Sequence, residues 1–177
     1  MSGNAQADLR VFAPGFARTL ALAVLIGLSL AACSTSAVTT PGTGNVGITA
    51  ALLLEVNDAR ASTRRCGTQT FATAAPLRLE ARLTAAAGAH SQDMHDHGFM
   101  SHTGSDGSDV VRRVERQGYT WSALAENVAA GFTSPEDVVA AWLGSPGHCI
   151  NIMNPAYTEL GPGNAGVFWT LVFGRPR

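Results

Sequence analysis

The stretch ELGPGNAGVFWTLVFG, residues 159–174, decides the fold class of this chain. From Val167 to Phe173, apolar residues occupy every second position, and the positions between them are also apolar or β-branched. Alternation with a period of two predicts a β-strand, and apolar side chains on both sides predict that both faces are covered. The Gly, Pro and Asn residues before Val167 predict a turn. We therefore expect two late strands buried inside the domain.

Helical patterns precede these strands. The segment 47–63 has apolar residues at helical spacing, and a second helical stripe begins at Leu77 and should end at Gly98. Ser108 can cap a third helix that Gly118 ends.

A fourth helix and a short extended segment complete the pattern. In SPEDVVAAWLG, residues 134–144, Ser134 is a good N-cap and Pro135 suits the first helical position. AENVAAG, residues 125–131, is short and predicts an extended segment. The predicted helices come first along the chain and the strands come mainly late. This order predicts an α+β fold, with a small sheet packed between helices.

The N-terminus predicts an export signal. Arg10 and Arg18 precede the apolar run LALAVLIGLSLAA, residues 20–32, which is too short for the about 20 residues of a membrane-spanning helix. The run ends in L-A-A-C and resembles the bacterial lipobox, so residues 1–32 are interpreted as a lipoprotein signal peptide. Diacylglycerol on Cys33 would anchor the chain outside the cytoplasm, to an outer membrane or cell surface. The alternative is ordinary secretion, with Cys33 incidental.

Composition divides the remaining chain into a tether and one domain. Residues 33–47 are rich in Ser, Thr, Gly and Pro and predict a flexible tether, which leaves residues 48–177 as the folded domain. Without Asp8, Arg10 and Arg18, the mature chain has about 10 basic and 12 acidic residues. No basic stripe is present, so nucleic acid is not an expected partner.

Two cysteines, Cys66 and Cys149, remain once Cys33 carries lipid. In an exported domain, two cysteines most simply form one disulfide. The alternatives are a free thiol pair and a Cys/His metal site that includes His148.

Four of the five histidines lie in HSQDMHDHGFMSH, residues 90–102. On a helix, His95 points about 140° away from His90, and His95 and His97 do not share a face. A compact site formed by these three imidazoles is therefore geometrically poor. We expect His90 to be packed and bonded to a backbone oxygen, and His95 and His97 to be solvated.

A long-range site is the stronger hypothesis. His102 lies on the loop after the second helix, and His148 is predicted to lie just past the end of the fourth helix. Glu126 lies among apolar residues, where a carboxylate needs a partner. These three residues can form a metal site with an open position, or a hydrogen-bonded polar cluster.

Several motifs in order give the chain a specific resemblance. They are HSQDM, GFMSHTGSDG, GY, AENVAAG, SPEDVVAAWLGSPGHCINIMNP, YTELG and FWTLVFG. Together they resemble the CAP superfamily of cysteine-rich secretory, antigen 5 and pathogenesis-related proteins and their bacterial SCP-like relatives. The resemblance covers roughly Leu52 to Gly174 and implies a three-layer α-β-α sandwich with a small, mainly antiparallel sheet.

The resemblance also implies a cleft with two histidines and two glutamates. His102, Glu126 and His148 match three of them. The position of the second glutamate is Ser145 here, so the tetrad is incomplete, and Glu159 is a possible substitute carboxylate. Some family members bind Zn²⁺ or another divalent cation through the two histidines.

Three functions remain open. The first is a module that binds a lipid, a sterol-like molecule or a protein in the cell envelope. The second is a metal-assisted, peptidase-like hydrolase in which Glu126 activates water at the His102/Glu126/His148 cleft. The third is a purely structural role. Fold alone does not choose among them.

Overall fold

A computed structural model describes residues 6–10 and 43–177, with side chains from Gly47 onward. The apolar run 20–32, Cys33 and most of the predicted tether lie outside the described residues. The strands are β1 (Gln6–Arg10), β2 (Arg64–Cys66), β3 (Gln69–Phe71), β4 (Arg78–Leu79), β5 (Trp121–Ala130), β6 (Glu159–Ala165) and β7 (Phe168–Pro176). The helices are α1 (Thr43–Arg60), α2 (Ala81–His97), α3 (Val110–Arg116), α4 (Pro135–Gly144) and α5 (Pro146–Met153).

The main sheet is built on the late strands. Its order is β1-β5-β7-β6-β4, with β7 antiparallel to both of its neighbours. The edge strands β1 and β4 pair in parallel with β5 and β6, and β2 and β3 form a separate hairpin. Gly166 has a φ of 56° and turns the chain between β6 and β7. The predicted pair of buried late strands is confirmed.

Helices cover both faces of this sheet. On one face, α2 and α3 pack on β5 and β7 through an apolar cluster that includes Leu83, Val114 and Val172. On the other face, α1, α4 and α5 pack through a larger cluster that includes Trp142, Ile152 and Trp169. The α+β fold with three layers is therefore confirmed.

Two glycines of β6 allow α2 to lie directly on the sheet. A Cβ at Gly161 would overlap backbone atoms of Leu83 and Thr84, and a Cβ at Gly163 would overlap the backbone of Ala87. The G-P-G segment predicted as a turn is thus part of a strand, and its glycines serve close packing.

Two predicted helix starts are wrong. The segment that begins at Leu77 continues as β4, because Arg78 and Glu80 donate backbone hydrogen bonds to Thr158 and Leu160 of the β6 side. α2 therefore begins at Ala81. α3 is capped by Asp109 rather than by Ser108, since the Asp109 carboxylate accepts from the Arg112 amide.

The second histidine of the expected site lies on a helix, not beyond one. Ser145 and Pro146 start α5 directly after α4, and His148 is in its first turn. The pattern S-P-G resembles a loop because it contains Pro and Gly, but Pro at the first helical position favours a new helix.

The predicted disulfide is confirmed. Cys66 and Cys149 are bonded across 83 residues, and both are buried. The bond ties the β2–β3 hairpin to α5, so both cysteines are taken and neither is a free thiol or a metal ligand.

Candidate functional site

A loop places His102 against the sheet. α2 ends at Gly98, which has a φ of 66°, and the chain then turns back along the helix. The Ser101 carbonyl is bonded to His90 Nε2 at 2.8 Å, which fixes the loop one residue before His102. The His102 residue is only 8% exposed.

Glu126 lies in the middle of β5 and is fully buried. Its Oε1 is 2.9 Å from His102 Nδ1, and its Oε2 accepts from the Arg113 guanidinium at 2.7 Å. Both carboxylate oxygens therefore have partners. A buried carboxylate was expected to need a partner, and Glu126 has two.

Arg113 is the residue of this cluster that the sequence analysis missed. It lies on α3, is 7% exposed, and donates to the backbone carbonyls of Ser108 at 2.7 Å and His102 at 3.1 Å. Its position between the buried Val110 and Val114 is the signal that could have found it. An arginine inside an apolar helical stripe must be paired when the stripe is buried.

The cluster has a defined charge and proton arrangement. Because an ionised carboxylate only accepts, His102 Nδ1 carries the proton of the bond to Glu126. The Arg113 charge offsets that of Glu126 inside the protein. Such a pair is strongly destabilising to break, because removing one partner leaves a buried, unpaired charge. We call His102, Glu126 and Arg113 the central cluster.

His148 lies on α5, and its backbone is bonded to β5 at the residue that follows Glu126. It is fully buried, and its backbone carbonyl accepts from Asn127 Nδ2 at 3.2 Å. Asn151, one turn further along α5, donates to the Asn127 side chain at 2.8 Å. α5 is therefore held against the strand residue next to Glu126.

The two remaining predicted residues are Ser145 and Glu159. Ser145 is half-buried between α4 and α5 and makes no side-chain capping bond. Glu159, at the start of β6, accepts from the Tyr119 hydroxyl at 2.6 Å and lies 3.6 Å from Arg78. Burial, and then the bond to Glu159, raise the pKa of Tyr119.

The other histidines follow their predicted roles. His90 is buried and bonded to a backbone carbonyl, and burial lowers its pKa. His95 and His97 are about half exposed and lie beside Asp96 and Asp93.

The side chains near His102 limit how a metal ion could be bound. Within residues 47–177, no three His, Cys, Asp or Glu side chains are grouped as metal ligands. Glu126 instead resembles the carboxylate that orients a metal-binding histidine from behind. Because both of its oxygens are already bonded, Glu126 lies outside the ligand set of a metal ion at His102.

Known proteins are similar to this chain in sequence or in fold. The uncharacterized protein YkwD of Bacillus subtilis (strain 168) is 36% identical over 100 residues, which are 55% of this chain and 39% of YkwD. An extracellular protein from Bacillus anthracis that contains an SCP domain superposes with a TM-score of 0.66 at 25% identity, over 73% of this chain and 41% of its own. An outer surface protein of Borrelia burgdorferi superposes with a TM-score of 0.53 at 21% identity, over 57% of this chain and 78% of its own.

None of the described helices is long and apolar enough to cross a membrane.

A model of a known protein family matches more than half of this chain. The model of the cysteine-rich secretory protein family, CAP, matches residues 53–166, which include His102, Arg113, Glu126 and His148. The chain therefore belongs to the cysteine-rich secretory protein (CAP) family.

Proposed function

We propose that this chain is an exported CAP-domain module that binds a ligand or protein partner in the cell envelope. The observation that carries the proposal is the double occupation of Glu126 by His102 and Arg113. A general base needs a free oxygen within reach of the proton that it takes. A carboxylate that is bonded to a guanidinium and an imidazole is instead held in one position, and the guanidinium largely offsets its charge.

Arg113 also weakens the case for a tightly held metal ion. A divalent cation at His102 would lie near the Arg113 guanidinium, whose positive charge opposes it. Glu126 would attract the cation less, because Arg113 already offsets its charge. Any Zn²⁺ at this site would be held by the His102 and His148 imidazoles, with Glu126 orienting His102.

The second candidate is the metal-assisted hydrolase. The bond between His102 Nδ1 and Glu126 favours it, because the same arrangement orients histidines in zinc enzymes. In that case the metal would supply an activated water. Glu126 would have to leave Arg113 before it could take a proton.

A hydrolysis assay separates the two candidates. The full chain is incubated with unfolded casein, with and without a chelator, as wild type and as Glu126→Gln. The binding-module proposal expects no chelator-sensitive cleavage by the wild type. Cleavage that a chelator stops, and that a Glu126→Gln variant shown to be folded abolishes while the exposed control Glu136→Gln retains it, would establish the hydrolase instead.

Native mass spectrometry tests the binding role itself. The full chain, purified in mild detergent, should retain a non-covalent lipid or other small molecule, or a partner protein. The folded His102→Ala/His148→Ala variant should retain it as well, since the imidazoles are not needed as metal ligands. A wild-type chain that carries no bound mass would contradict the proposal.

The envelope location extends the proposal to the N-terminus. Of the structural neighbours, one is an extracellular protein and another an outer surface protein, and the Cys66–Cys149 disulfide suits an oxidising compartment. Lipid on Cys33 would anchor the domain to the membrane through residues 33–47, and the cleavage before Cys33 would remove the edge strand β1 from the mature chain. Mass analysis of the N-terminal peptide should show the lipid, and Cys33→Ala should release the chain from membranes. An unmodified Cys33 would refute the anchor.

A further inference from the structure

A cavity lies beside Arg113 of the central cluster. It has a volume of about 240 Å³ and lies between α2, α3 and the loop that joins them. Its lining includes Ala89, His90 and Asp93 of α2 and Arg113 and Arg116 of α3. The volume is below the roughly 300–1,000 Å³ of pockets that enclose drug-sized ligands. The cavity therefore suits a small molecule.

Two buried polar atoms of this lining have no hydrogen-bond partner in the part of the chain that the structure describes. They are Nδ1 of His90 and Nε of Arg113. The two residues are 1% and 7% exposed. Leaving a buried donor or acceptor unsatisfied costs about 1–3 kcal/mol, so a polar ligand group that reaches either atom from the cavity would be stabilised.

The two atoms have opposite hydrogen-bonding roles. His90 Nε2 is bonded to the Ser101 carbonyl, which only accepts, so Nε2 carries the proton. Burial lowers the pKa of His90, which keeps the ring neutral and leaves Nδ1 as an acceptor. Arg113 uses its terminal nitrogens on Ser108, His102 and Glu126, which leaves its Nε–H as a donor.

The charges around the cavity disfavour an anion. Asp93 accepts from the Ser105 amide and hydroxyl, and these bonds help to lower its pKa. Asp106 accepts from Arg116 at 2.6 Å. The positive charges of Arg113 and Arg116 are thus offset by Glu126 and Asp106, and the charge of Asp93 remains. A carboxylate or phosphate would be repelled by Asp93 and could not donate to His90.

We propose that this cavity is a binding site for a small, neutral, hydroxylated ligand, such as a polyol or a single sugar residue. A ligand hydroxyl would accept from Arg113 Nε, and a ligand hydroxyl would donate to His90 Nδ1, which would satisfy both atoms. The site is separate from the His102/His148 cleft, and the proposal stands whichever function that cleft has. Arg113 belongs to both, so occupation of the cavity restrains the side chain that holds Glu126.

NMR of the full chain labelled with ¹⁵N-histidine tests this site. A titration with glucose, and another with glycerol, should move the His90 Nδ1 resonance saturably, as expected when a lone-pair nitrogen accepts a hydrogen bond. Sodium acetate serves as the anionic comparison and should not move it. No saturable shift with glucose or glycerol, which is the result expected if the cavity holds only water, would overturn the proposal, as would a stronger response to acetate.

A pair of tryptophan variants shows whether binding occurs in the cavity. Ala89 is an exposed residue of α2 at its mouth, and Ala85 is equally exposed one turn earlier but does not line it. Ala89→Trp should weaken glucose binding at least about tenfold, which corresponds to about 1.4 kcal/mol. Ala85→Trp should bind as the wild type does. Equal binding by the two variants would overturn the assignment.

Discussion

At the scale of single residues, the central feature is a buried carboxylate with two different partners. His102 and Arg113 reach Glu126 from a loop and from a helix, and each is positioned by its own backbone contacts. Glu126 therefore joins three segments that are distant in sequence. Its removal should affect stability as well as the cleft.

Glu126→Gln should lower the free energy of unfolding by about 3 kcal/mol or more, because it leaves the Arg113 charge buried and unpaired. Urea unfolding of the full chain measures the change. The exposed Glu136→Gln should change stability by less than about 1 kcal/mol.

Adding Arg113→Met to Glu126→Gln should cost much less than the sum of the two single changes, since no buried charge remains. Additive losses in this double-mutant cycle would show that the two side chains do not interact.

His90 should make stability depend on pH. Burial lowers its pKa below the usual 6.5, so the unfolded chain takes up a proton at a higher pH than the folded chain does. Its contribution is therefore complete above pH about 6.5 and is lost as the pH falls towards the folded pKa. Urea midpoints between about pH 7 and pH 5 measure this slope. His90→Gln can still donate to Ser101 and should show a smaller slope; an unchanged slope would refute the assignment.

The sequence could predict the carboxylate and the histidines, but not the arginine. Glu126 stood out because it lies in an apolar segment, and His102 because it lies beyond Gly98. Arg113 is adjacent to Arg112 in VVRRVER, and the exposed arginine differs from the buried one only in helical phase. Arg60 was missed as well: it is fully buried and bonded to the carbonyls of Ala75, Ile152 and Asn154.

At the scale of elements, the interface between α2 and β6 sets the distance between one helix layer and the sheet. Gly161 and Gly163 lie under the backbone of α2, while Gly88 of α2 itself has open space where a Cβ would be. These glycines of one interface should therefore respond in opposite ways to the same substitution.

Gly161→Ala should destabilise the domain by about 1–3 kcal/mol or more, because the added methyl group forces α2 away from β6. Gly88→Ala should be neutral or stabilise by up to about 1 kcal/mol, because alanine favours helix over glycine. Thermal unfolding of both variants checks the pair. An equal loss in both would show that helix propensity, not close packing, decides the effect.

Element types were easier to predict than element limits. The alternation in β7 and the Ser134–Pro135 start of α4 are local signals, and both are confirmed. β4 and α5 depend on tertiary pairing: β4 exists because it pairs with β6, and α5 follows α4 without a loop. Local propensity cannot report such contacts.

At the scale of the whole molecule, one covalent bond links the hairpin to the helix that carries His148. Cys66 lies on β2, and Cys149 follows His148 in α5. The disulfide therefore stabilises both the fold and the position of the helix that carries His148.

The double variant Cys66→Ala/Cys149→Ala should lose about 4 kcal/mol of unfolding free energy, from the chain-entropy cost of opening an 83-residue loop. Chemical denaturation of the oxidised wild type and of the variant measures the loss. A difference below about 1 kcal/mol would mean that the bond contributes little to the domain.

Zinc titration calorimetry tests the central claim, that Arg113 holds Glu126 and offsets its charge. Arg113→Gln removes the guanidinium and frees one Glu126 oxygen, whereas Arg113→Lys keeps the positive charge. Circular dichroism first establishes that each full-chain variant is folded, and the shift of its unfolding midpoint by Zn²⁺ gives an independent readout of binding. The account predicts that Arg113→Gln binds Zn²⁺ at least about tenfold more tightly than the wild type and Arg113→Lys do, a difference of about 1.4 kcal/mol. Zinc binding by the wild type that is as tight as, or tighter than, that of Arg113→Gln would contradict it.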